Sequence, residues 1–441
     1  LWCIIMDSRI VQKFTLLLKV KGRLFMKRIG ILTSGGDCQG LNAAIRGVCK
    51  TLYNHYKKDE IEIYGIIDGY RGLITGEYRL MKPEDFSGML TSGGDCQALN
   101  AAMRGVAKSL YRAVDDVEII GFEEGYRGLI YGDFRVMKKS DFSGILTEGG
   151  TIIGSSRQPF KLMRVIDEEN NVDKVAAMKA NYKKMKLDCL VILGGNGTQK
   201  SANMLSQEGL NVVSLPKTID NDLWGTDMTF GFQSAVDIAT QVIDCIHTTA
   251  TSHSRVFIVE LMGHKAGWLT LYAGIAGGAD VILIPEIPYD INKVIKCIKQ
   301  RTKSGKNFSI LAVAEGAISK ERAALPKKQK KEALANLMYP SISYEIAAQI
   351  EKATGQETRV TVPGHFQRGG SPVPYDKLIA TRFGAAAGEC IINEHYGCMV
   401  SLINGRVVPV ALADIAGKLK TVPADCEIIK TARLTGISFG D

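Results

Sequence analysis

Several features that define other protein classes are missing from this 441-residue chain. No uninterrupted apolar run approaches the roughly 18 residues that a membrane-spanning helix needs, and no secretory signal pattern is present. The ten cysteines form no closely spaced pairs of the kind that bind zinc or build a disulfide framework. These absences predict a reduced, cytoplasmic protein with no membrane partner.

Positive charge is in modest excess, but it is dispersed. Lysine and arginine number 55 against 46 acidic residues, and the densest basic run, at 327–331, contains no aromatic residue. A nucleic-acid surface would combine such a run with aromatic side chains on one face, and aromatic residues make up only 7% of the chain. We therefore predict a solvated loop or helix face at 327–331 and no nucleic-acid partner.

What the sequence does contain is a long internal repeat near its start. Residues 33–48 and 91–106 differ at only two positions, the similarity continues through GYRGLI to DFSG, and everything after residue 144 occurs once. Only one copy can fill a single place in a sheet, and a displaced copy would expose strand edges. The first copy has an intact KRIGIL strand, whereas the second, which runs on into the rest of the chain, begins with a strand shortened to GML.

Beyond the repeat, apolar strands alternate with helical stretches. Continuous apolar strands in such an alternation are typical of parallel sheets covered on both faces. The predicted fold class is α/β, with two Rossmann-like domains built on mostly parallel sheets covered by helices. Ligands bind beyond the carboxyl ends of such strands, so the active site is expected in the cleft between the domains. The apolar segments are 187–198, 209–222, 254–263, 279–287 and 307–316.

Glycine-rich turns follow two of the predicted strands. Residues 92–95, with their twin at 34–37, and residues 194–198 each link a strand to a helix. Absent side chains let phosphate oxygens approach backbone N–H groups at a helix N-terminus. Neither turn has the GxxxxGK[ST] pattern, so a phosphate-binding loop of a non-Walker type is predicted.

A polar string closes the strand at 209–222. Asp220 and Asp222 stand two residues apart, and in an extended segment both carboxylates would project to the same side. One can then act as a general base while the other helps to hold a cation, and Thr218 can steer a phosphate oxygen. Other strand ends and loops carry donors for a sugar phosphate, because arginine binds phosphate through two parallel hydrogen bonds. These residues are Arg157, Arg255, Arg359, His365 and Arg368. Other strands end in Met262, Gly263, His264 and Glu315, as contacts with sugar hydroxyls would.

Taken in order, these motifs resemble those of the phosphofructokinases. They include TSGGD, GGTIIGSSR, GGNGT, PKTIDND, SHSR, MGHKAGW and GHFQRGGSP, and they run from Met26 to the C-terminus. The resemblance implies transfer of a phosphoryl group from ATP to the 1-hydroxyl of fructose 6-phosphate, with Mg²⁺ as cofactor. It implies that Asp220 takes the hydroxyl proton and that Thr218 and Asp222 flank it.

The resemblance also implies ligand contacts. Arg255 and Arg359 are expected to reach a neighbouring subunit's site, which implies a homodimer or homotetramer. The metal ligands that it suggests are Asn196 and Asp222. The donor-nucleotide contacts are Gly94 or its twin Gly36, Arg157, Gln158, Gly195, Asn196, Gly197 and Thr198. The substrate contacts are Thr218, Ile219, Asp220, Arg255, Met262, Gly263, His264, Glu315, Arg359, His365, Phe366, Gln367 and Arg368.

Three positions bear on the phosphoryl donor and its metal. Pyrophosphate-using relatives resemble one another in placing Asp where this chain has Gly197, which fills the space of a nucleotide's α-phosphate, so Gly197 favours ATP. Lys217 favours pyrophosphate, because pyrophosphate enzymes also carry it, but steric exclusion by an aspartate is nearly all-or-none and the glycine outweighs the lysine. Many relatives have Asp in place of Asn196, so the metal site here carries less charge. A pyrophosphate-dependent enzyme and a chain inactivated by its duplication are the alternatives.

The motifs also predict how the chain is divided. The first 25 residues begin without methionine and show no clear periodicity, so we predict a non-native leader and a natural start at Met26. The predicted parts are the leader at 1–25, the duplicated unit at 26–88, a nucleotide-binding domain at 89–230 and 367–441, and a sugar-phosphate-binding domain at 231–366.

Overall fold

The structure is a computed structural model that divides into two compact units. The predicted leader and the twin glycine Gly36 lie outside the residues that it describes. Those residues are 27–31, 61–66, 78–81 and 86–441, apart from 115–116 and 168–170. The first unit comprises 1–87, 114–118 and 185–188, and the second comprises 88–113, 119–184 and 189–441.

The first unit contains a three-stranded sheet made by the first copy of the repeat. Its strands lie in the order β1 (Lys27–Ile31), β2 (Ile61–Ile66) and β3 (Tyr78–Met81). β1 runs parallel to β2, whereas β2 and β3 are antiparallel. The predicted KRIGIL strand therefore forms, in a sheet of its own.

From residue 86 onward, strands and helices alternate as predicted. In chain order they are β4 (Phe86–Ser92), α1 (Leu99–Ala113), β5 (Glu118–Phe122), α2 (Tyr126–Tyr131), β6 (Phe134–Met137), α3 (Lys174–Lys184), β7 (Cys189–Gly194), α4 (Asn196–Gln207), β8 (Val212–Pro216), α5 (Phe232–Ala250), β9 (Val256–Leu261), α6 (Trp268–Ala276), β10 (Val281–Leu283), α7 (Ile291–Lys303), β11 (Ser309–Ala314), α8 (Lys320–Ala323), α9 (Lys327–Ala335), α10 (Ile342–Thr354), β12 (Thr358–Thr361), α11 (Pro374–Ile392), β13 (Cys398–Ile403), β14 (Arg406–Ala411), α12 (Leu412–Ile415) and α13 (Glu427–Leu434). Short 3₁₀ helices lie at Lys139–Phe142, Ile145–Thr147, Phe160–Leu162 and Gly364–Arg368.

These strands form two further sheets. The larger has seven strands in the order β14-β13-β8-β7-β4-β5-β6, and the smaller has four in the order β10-β11-β9-β12. The smaller sheet is parallel throughout, and antiparallel pairs in the larger one are β5 with β6 and β13 with β14. Every residue of β7, β8, β9 and β11 is buried, as expected for strands covered on both faces. The predicted α/β fold class with mostly parallel sheets is confirmed.

The second copy of the repeat occupies the larger sheet, and its first strand is longer than predicted. β4 runs over FSGMLTS rather than GML, because the tail of the first copy supplies its first residues. The second DFSG does not form a strand: Phe142 ends a 3₁₀ helix, and Gly144 is left-handed with φ +84°. The shortened strand of the second copy is thus completed by the residues that precede it.

Two expectations about the surface can be checked. α9 covers the basic run at 327–331 and has no buried residue, which confirms a solvated helix face. Among the helices that the structure describes, none has both the length and the apolar character needed to cross a membrane.

Candidate active site

The glycine turn after β4 is fixed against the loop that carries the first predicted donor contacts. The Gly93 N–H donates to the carbonyl of Ser156 at 3.1 Å, and the Ser155 hydroxyl donates to the Gly93 carbonyl at 2.6 Å. In this loop Arg157 is exposed and Gln158 is half-buried. The structure therefore brings these two residues beside the turn of the second copy, where a ligand at the turn could reach them.

Gly94 is enclosed by two cationic side chains. The Lys217 ammonium donates a hydrogen bond to the Gly94 carbonyl, and a Cβ added at Gly94 would overlap the Arg368 guanidinium. Among the described residues, the buried Nε of Arg368 has no hydrogen-bond partner. A buried N–H without an acceptor is costly, so this arrangement suits an anionic group bound at the turn.

The second glycine turn leads directly into α4. Gly195 precedes the helix, so the free backbone N–H groups of its first turn lie at the carboxyl end of β7, where they can bind an anion. A Cβ added at Gly197 would meet nothing within 4 Å, so the space beside Gly197 is open. The Asn196 side-chain amide donates to the Lys418 carbonyl at 2.8 Å, and Thr198 is buried.

The PKTIDND segment is not an extended strand. The chain bends at 219–220, and Asn221 is left-handed with φ +50°, so the prediction that both carboxylates project to one side of an extended segment is wrong. The two carboxyl groups still lie close enough to repel each other. Burial and then this repulsion from Asp222 raise the pKa of Asp220 to about 6. The Thr218 hydroxyl oxygen accepts a hydrogen bond from the Asp220 N–H at 3.0 Å, which fixes the backbone before the turn.

Asp220 lies among charges of both signs. Besides Asp222, the groups that shift its pKa are Arg368 and Lys217, which lower it, and Glu315, which raises it. The Lys217 side chain is only 4% exposed, and burial lowers its pKa. A half-buried carboxylate whose pKa is raised to about 6, with cations close by, has the properties of a general base.

Asp222 and Asn196 offer oxygen atoms for a cation. Burial raises the pKa of the Asp222 carboxyl, and the charges of Lys217 and Lys420 oppose that shift. Among the described residues, no group of three or more His, Cys, Asp and Glu could hold a metal ion. Magnesium typically keeps several waters and binds one or two carboxylates plus substrate phosphates. The oxygen atoms of Asp222 and Asn196 therefore suit a magnesium ion that also binds a phosphate ligand. They do not suit a metal ion coordinated by protein side chains alone.

Gln367 connects three of the predicted ligand-binding segments. Its side-chain oxygen accepts from the Met262 N–H at 3.3 Å, and its amide donates to the Gly364 carbonyl at 3.0 Å. Gln97, from the repeated motif, donates to the Gln367 carbonyl at 3.0 Å. These hydrogen bonds link the turn after β4 to the end of β9. Gln367 is fully buried, so its side chain is not an exposed ligand contact.

The other predicted sugar contacts lie at strand ends and in the adjoining 3₁₀ helix. His264 follows β9 with a left-handed backbone, and its N–H donates to the Glu315 carboxylate at 2.8 Å. His365 and Phe366 are exposed, the latter at 70%, and both are free to meet a ligand. Ile219 is buried at 3% exposure, so only its backbone could contact a substrate. Gly263, between Met262 and His264, has φ +141°.

Arg255 and Arg359 lie together on neighbouring strand ends. Both guanidinium groups donate to the carboxylate of Glu357, and β12 pairs with β9 beside them. The structure thus joins the two arginines to each other through Glu357.

Sequence reasoning missed three residues that shape this site. Gln97 could have been found, because it belongs to the repeated TSGGDCQ string. Asn221 stood in the polar motif, but nothing in the pattern indicated its left-handed backbone. Lys420 left no signal, since it lies in an ordinary polar segment and reaches the site only through the fold.

An α/β fold with two glycine turns at helix N-termini and a half-buried carboxylate among cations matches the class of phosphoryl-transfer enzymes. The phosphofructokinase family model matches residues 28–90 and again residues 86–391. The chain belongs to the phosphofructokinase family, and the predicted resemblance is confirmed. The two matches share residues 86–90, which lie in β4.

Known relatives agree with this assignment. The chain is 57% identical over 356 residues to the ATP-dependent 6-phosphofructokinase of Spirochaeta thermophila, which covers 80% of this chain and 97% of that one. It is 43% identical over 340 residues to the pyrophosphate–fructose 6-phosphate 1-phosphotransferase of Amycolatopsis methanolica, with 77% and 96% covered. Phosphofructokinase from Saccharomyces cerevisiae matches with a TM-score of 0.65 and 29% identity, over 75% of this chain and 45% of that chain.

Proposed function

We propose that the chain is an ATP-dependent 6-phosphofructokinase, which transfers the terminal phosphoryl group of ATP to the 1-hydroxyl of fructose 6-phosphate in glycolysis. The observation that carries the proposal is the half-buried Asp220, whose electrostatic neighbours include Arg368 and Lys217, the two cations that enclose Gly94. The name of the Spirochaeta relative supports the donor and the acceptor. Such a role would place the enzyme in the cytoplasm, as the sequence predicts.

Asp220 would act as the general base. It accepts the proton of the 1-hydroxyl as that oxygen attacks the terminal phosphorus and the bond to the ADP oxygen breaks. A pKa of about 6 leaves Asp220 deprotonated at neutral pH and still basic enough to take the proton. Arg368 and Lys217 would offset negative charge on the transferred group, so positioning and electrostatics carry the rate.

The donor would lie along the two glycine turns. Its phosphates would meet Gly94 and the first turn of α4, beside Arg157 and Gln158. Asp222 and the side-chain oxygen of Asn196 would hold Mg²⁺, which offsets the negative charge of the donor phosphates when it is bound. Because the Asn196 amide already donates to a backbone carbonyl, its oxygen is left to face the ion.

The sugar phosphate would lie between the end of β9 and the 3₁₀ helix that carries His365 and Arg368. Arg255 and Arg359, which both contact Glu357, would complete the site of a neighbouring subunit, as the family resemblance implies. We therefore propose a homodimer or homotetramer, and a monomeric mass in solution would contradict it. The proposed nucleotide-binding domain at 89–230 and 367–441 then carries the larger sheet, and the sugar-phosphate-binding domain at 231–366 carries the smaller.

A coupled assay of the purified protein with fructose 6-phosphate and either ATP or pyrophosphate tests the function. Turnover with ATP is expected, and turnover with neither donor would refute the proposal. Pyrophosphate dependence is the second candidate, favoured by Lys217 and by the Amycolatopsis relative. If pyrophosphate alone supports turnover, the donor assignment is reversed while the family reaction stands.

The donor assignment has a sharper test at Gly197. Gly197→Asp would place a carboxylate in the open space beside α4, so kcat/KM for ATP should fall by roughly a hundredfold through misplacement of the donor. Gly197→Ser, with a short uncharged side chain, is the matched control and should lose far less. An equal loss in both variants would show that the open space does not select the donor.

A further inference from the structure

A segment near the C-terminus crosses the acidic loop after β8. Leu419 forms an antiparallel bridge with Leu223, and the N–H of Lys420 donates to the Asp222 carbonyl at 2.9 Å. The Lys420 carbonyl accepts from the indole N–H of Trp268 at 3.1 Å. The backbone of Lys420 is therefore held from two sides.

The Lys420 ammonium donates all three of its hydrogen bonds to one loop. Its ammonium donates to the Asn221 side-chain oxygen and to the carbonyls of Thr226 and Asp227, each at 2.9 Å. An ammonium has three N–H donors, so this set is complete. The same nitrogen lies 5.7 Å from the centre of the Trp268 ring, a favourable distance for a cation over an aromatic face. Lys420 is thus built into the loop rather than left in solvent.

Asn221 is the residue on which this contact acts. A left-handed backbone is uncommon for a residue with a side chain, and surrounding contacts must hold it in place. The Asn221 side-chain oxygen accepts from the Thr229 N–H at 3.1 Å as well as from Lys420. Because Asn221 stands between Asp220 and Asp222, its backbone angles set the directions of both carboxylates.

We propose that Lys420 is a positioning residue for phosphoryl transfer, which holds Asn221 and so fixes the directions of Asp220 and Asp222. The neighbouring Lys418 carbonyl fixes Asn196 in the same way, so one short segment orients both oxygen ligands proposed for the metal. The inference rests on the proposed function. Small displacements of reacting groups cost far more in turnover than in substrate binding, so kcat should respond more than KM.

Lys420→Met tests this role, because it keeps an apolar stem of similar length and removes the ammonium. We expect kcat to fall by roughly 10- to 100-fold, with little change in KM for fructose 6-phosphate. Lys430→Met is the matched control: its side chain is exposed on α13 and takes part in none of the contacts described above, so kcat should stay at the wild-type level. A folded Lys420→Met protein with wild-type kcat, or an equal loss in Lys430→Met, would overturn the proposal.

A chemical rescue separates positioning from loss of fold. Lys420→Cys treated with 2-bromoethylamine regains an ammonium at nearly the length of lysine, and most of the lost kcat should return. Wild-type protein treated in the same way controls for the other cysteines. Failure of the treated variant to recover, with the alkylation at residue 420 verified by mass spectrometry, would count against the role.

Hydrogen exchange gives a readout that does not depend on activity. The Thr229 amide, bonded to Asn221, should exchange faster in Lys420→Met and remain protected in Lys430→Met. Unchanged protection at Thr229 in Lys420→Met would overturn the positioning role even in a protein with no kinase activity. Absence of turnover in the wild type would instead refute the proposed function, so the two failures can be told apart.

Discussion

The two copies of the repeat share their strand pairing and differ in their neighbours. β2 and β3 pair Ile63 with Met81, and β5 and β6 pair the equivalent Ile119 with Met137. In the larger sheet, β4 of the second copy also lies beside β7. Among the described strands of the first copy, β1 has only β2 as a neighbour. Similar sequences thus form the same local sheet. The copy that pairs with the larger sheet is the second, which leads directly into the rest of the chain.

The DFSG string shows how strongly surroundings decide conformation. In the first copy FSG opens β4, but in the second Phe142 ends a 3₁₀ helix and is fully buried, with its ring 6.1 Å from that of Tyr111. The same residues therefore adopt two conformations, because long-range contacts override local preference. Pairing within a repeat is encoded locally, and its position in the protein is not.

If phosphoryl transfer takes place only beside the second copy, it should depend on the single carboxylate of Asp220. Asp220→Asn keeps the shape of the side chain and removes the base, so kcat should fall by roughly a thousandfold. Isothermal titration should show that fructose 6-phosphate still binds. Residual turnover of more than a few per cent would show that Asp220 is not the general base.

The twin glycines offer a matched pair of variants. Gly94→Ala forces the Arg368 guanidinium to move, and kcat/KM should fall by roughly a hundredfold. Gly36→Ala makes the same change in the first copy and should leave the rate as it is. A comparable loss in Gly36→Ala would show that the first copy takes part in catalysis.

The acidic limb of the pH–rate profile should be the same with and without the first copy. A general base works deprotonated, and the pKa of Asp220 is raised to about 6, so kcat/KM should fall about tenfold per pH unit below that value. Rates measured from pH 4 to 8 would reveal the limb. Activity sustained down to pH 4 would show an unshifted carboxylate and argue against Asp220 as the base.

Deletion of residues 33–90 should have the smallest effect. It joins KRIGIL to the second TSGGD, so residues 27–32 can take the place of β4 beside β7. We expect kcat/KM to stay within about twofold, because KRIGIL replaces the removed residues of β4 and every residue assigned to the site from Gly94 onward is retained. Activity in the deletion variant alone would identify the duplication as a defect, and an inactive variant would show that the first copy is required.

Local patterns predicted much of this protein, and contacts between distant residues account for the rest. The strands, both glycine turns and the polar strand ends follow from short-range sequence signals. The turn at Asn221 does not, because it depends on Lys420, which lies far along the chain. Gln367 was expected to meet the substrate and is instead an internal link, since only the fold places Met262 beside it.

β4 combines the last residues of the first copy with the first residues of the second, and both copies are synthesised before β7. Chains grow at about 5–20 residues per second, and about a hundred residues separate β4 from the end of β7, so β7 leaves the ribosome roughly 5–20 s later. By then both copies are complete and the strands of each have had time to pair. The shorter stretch of chain between β4 and β7 than between β1 and β7 then favours the second copy as the partner of β7, because closing a longer loop costs more entropy.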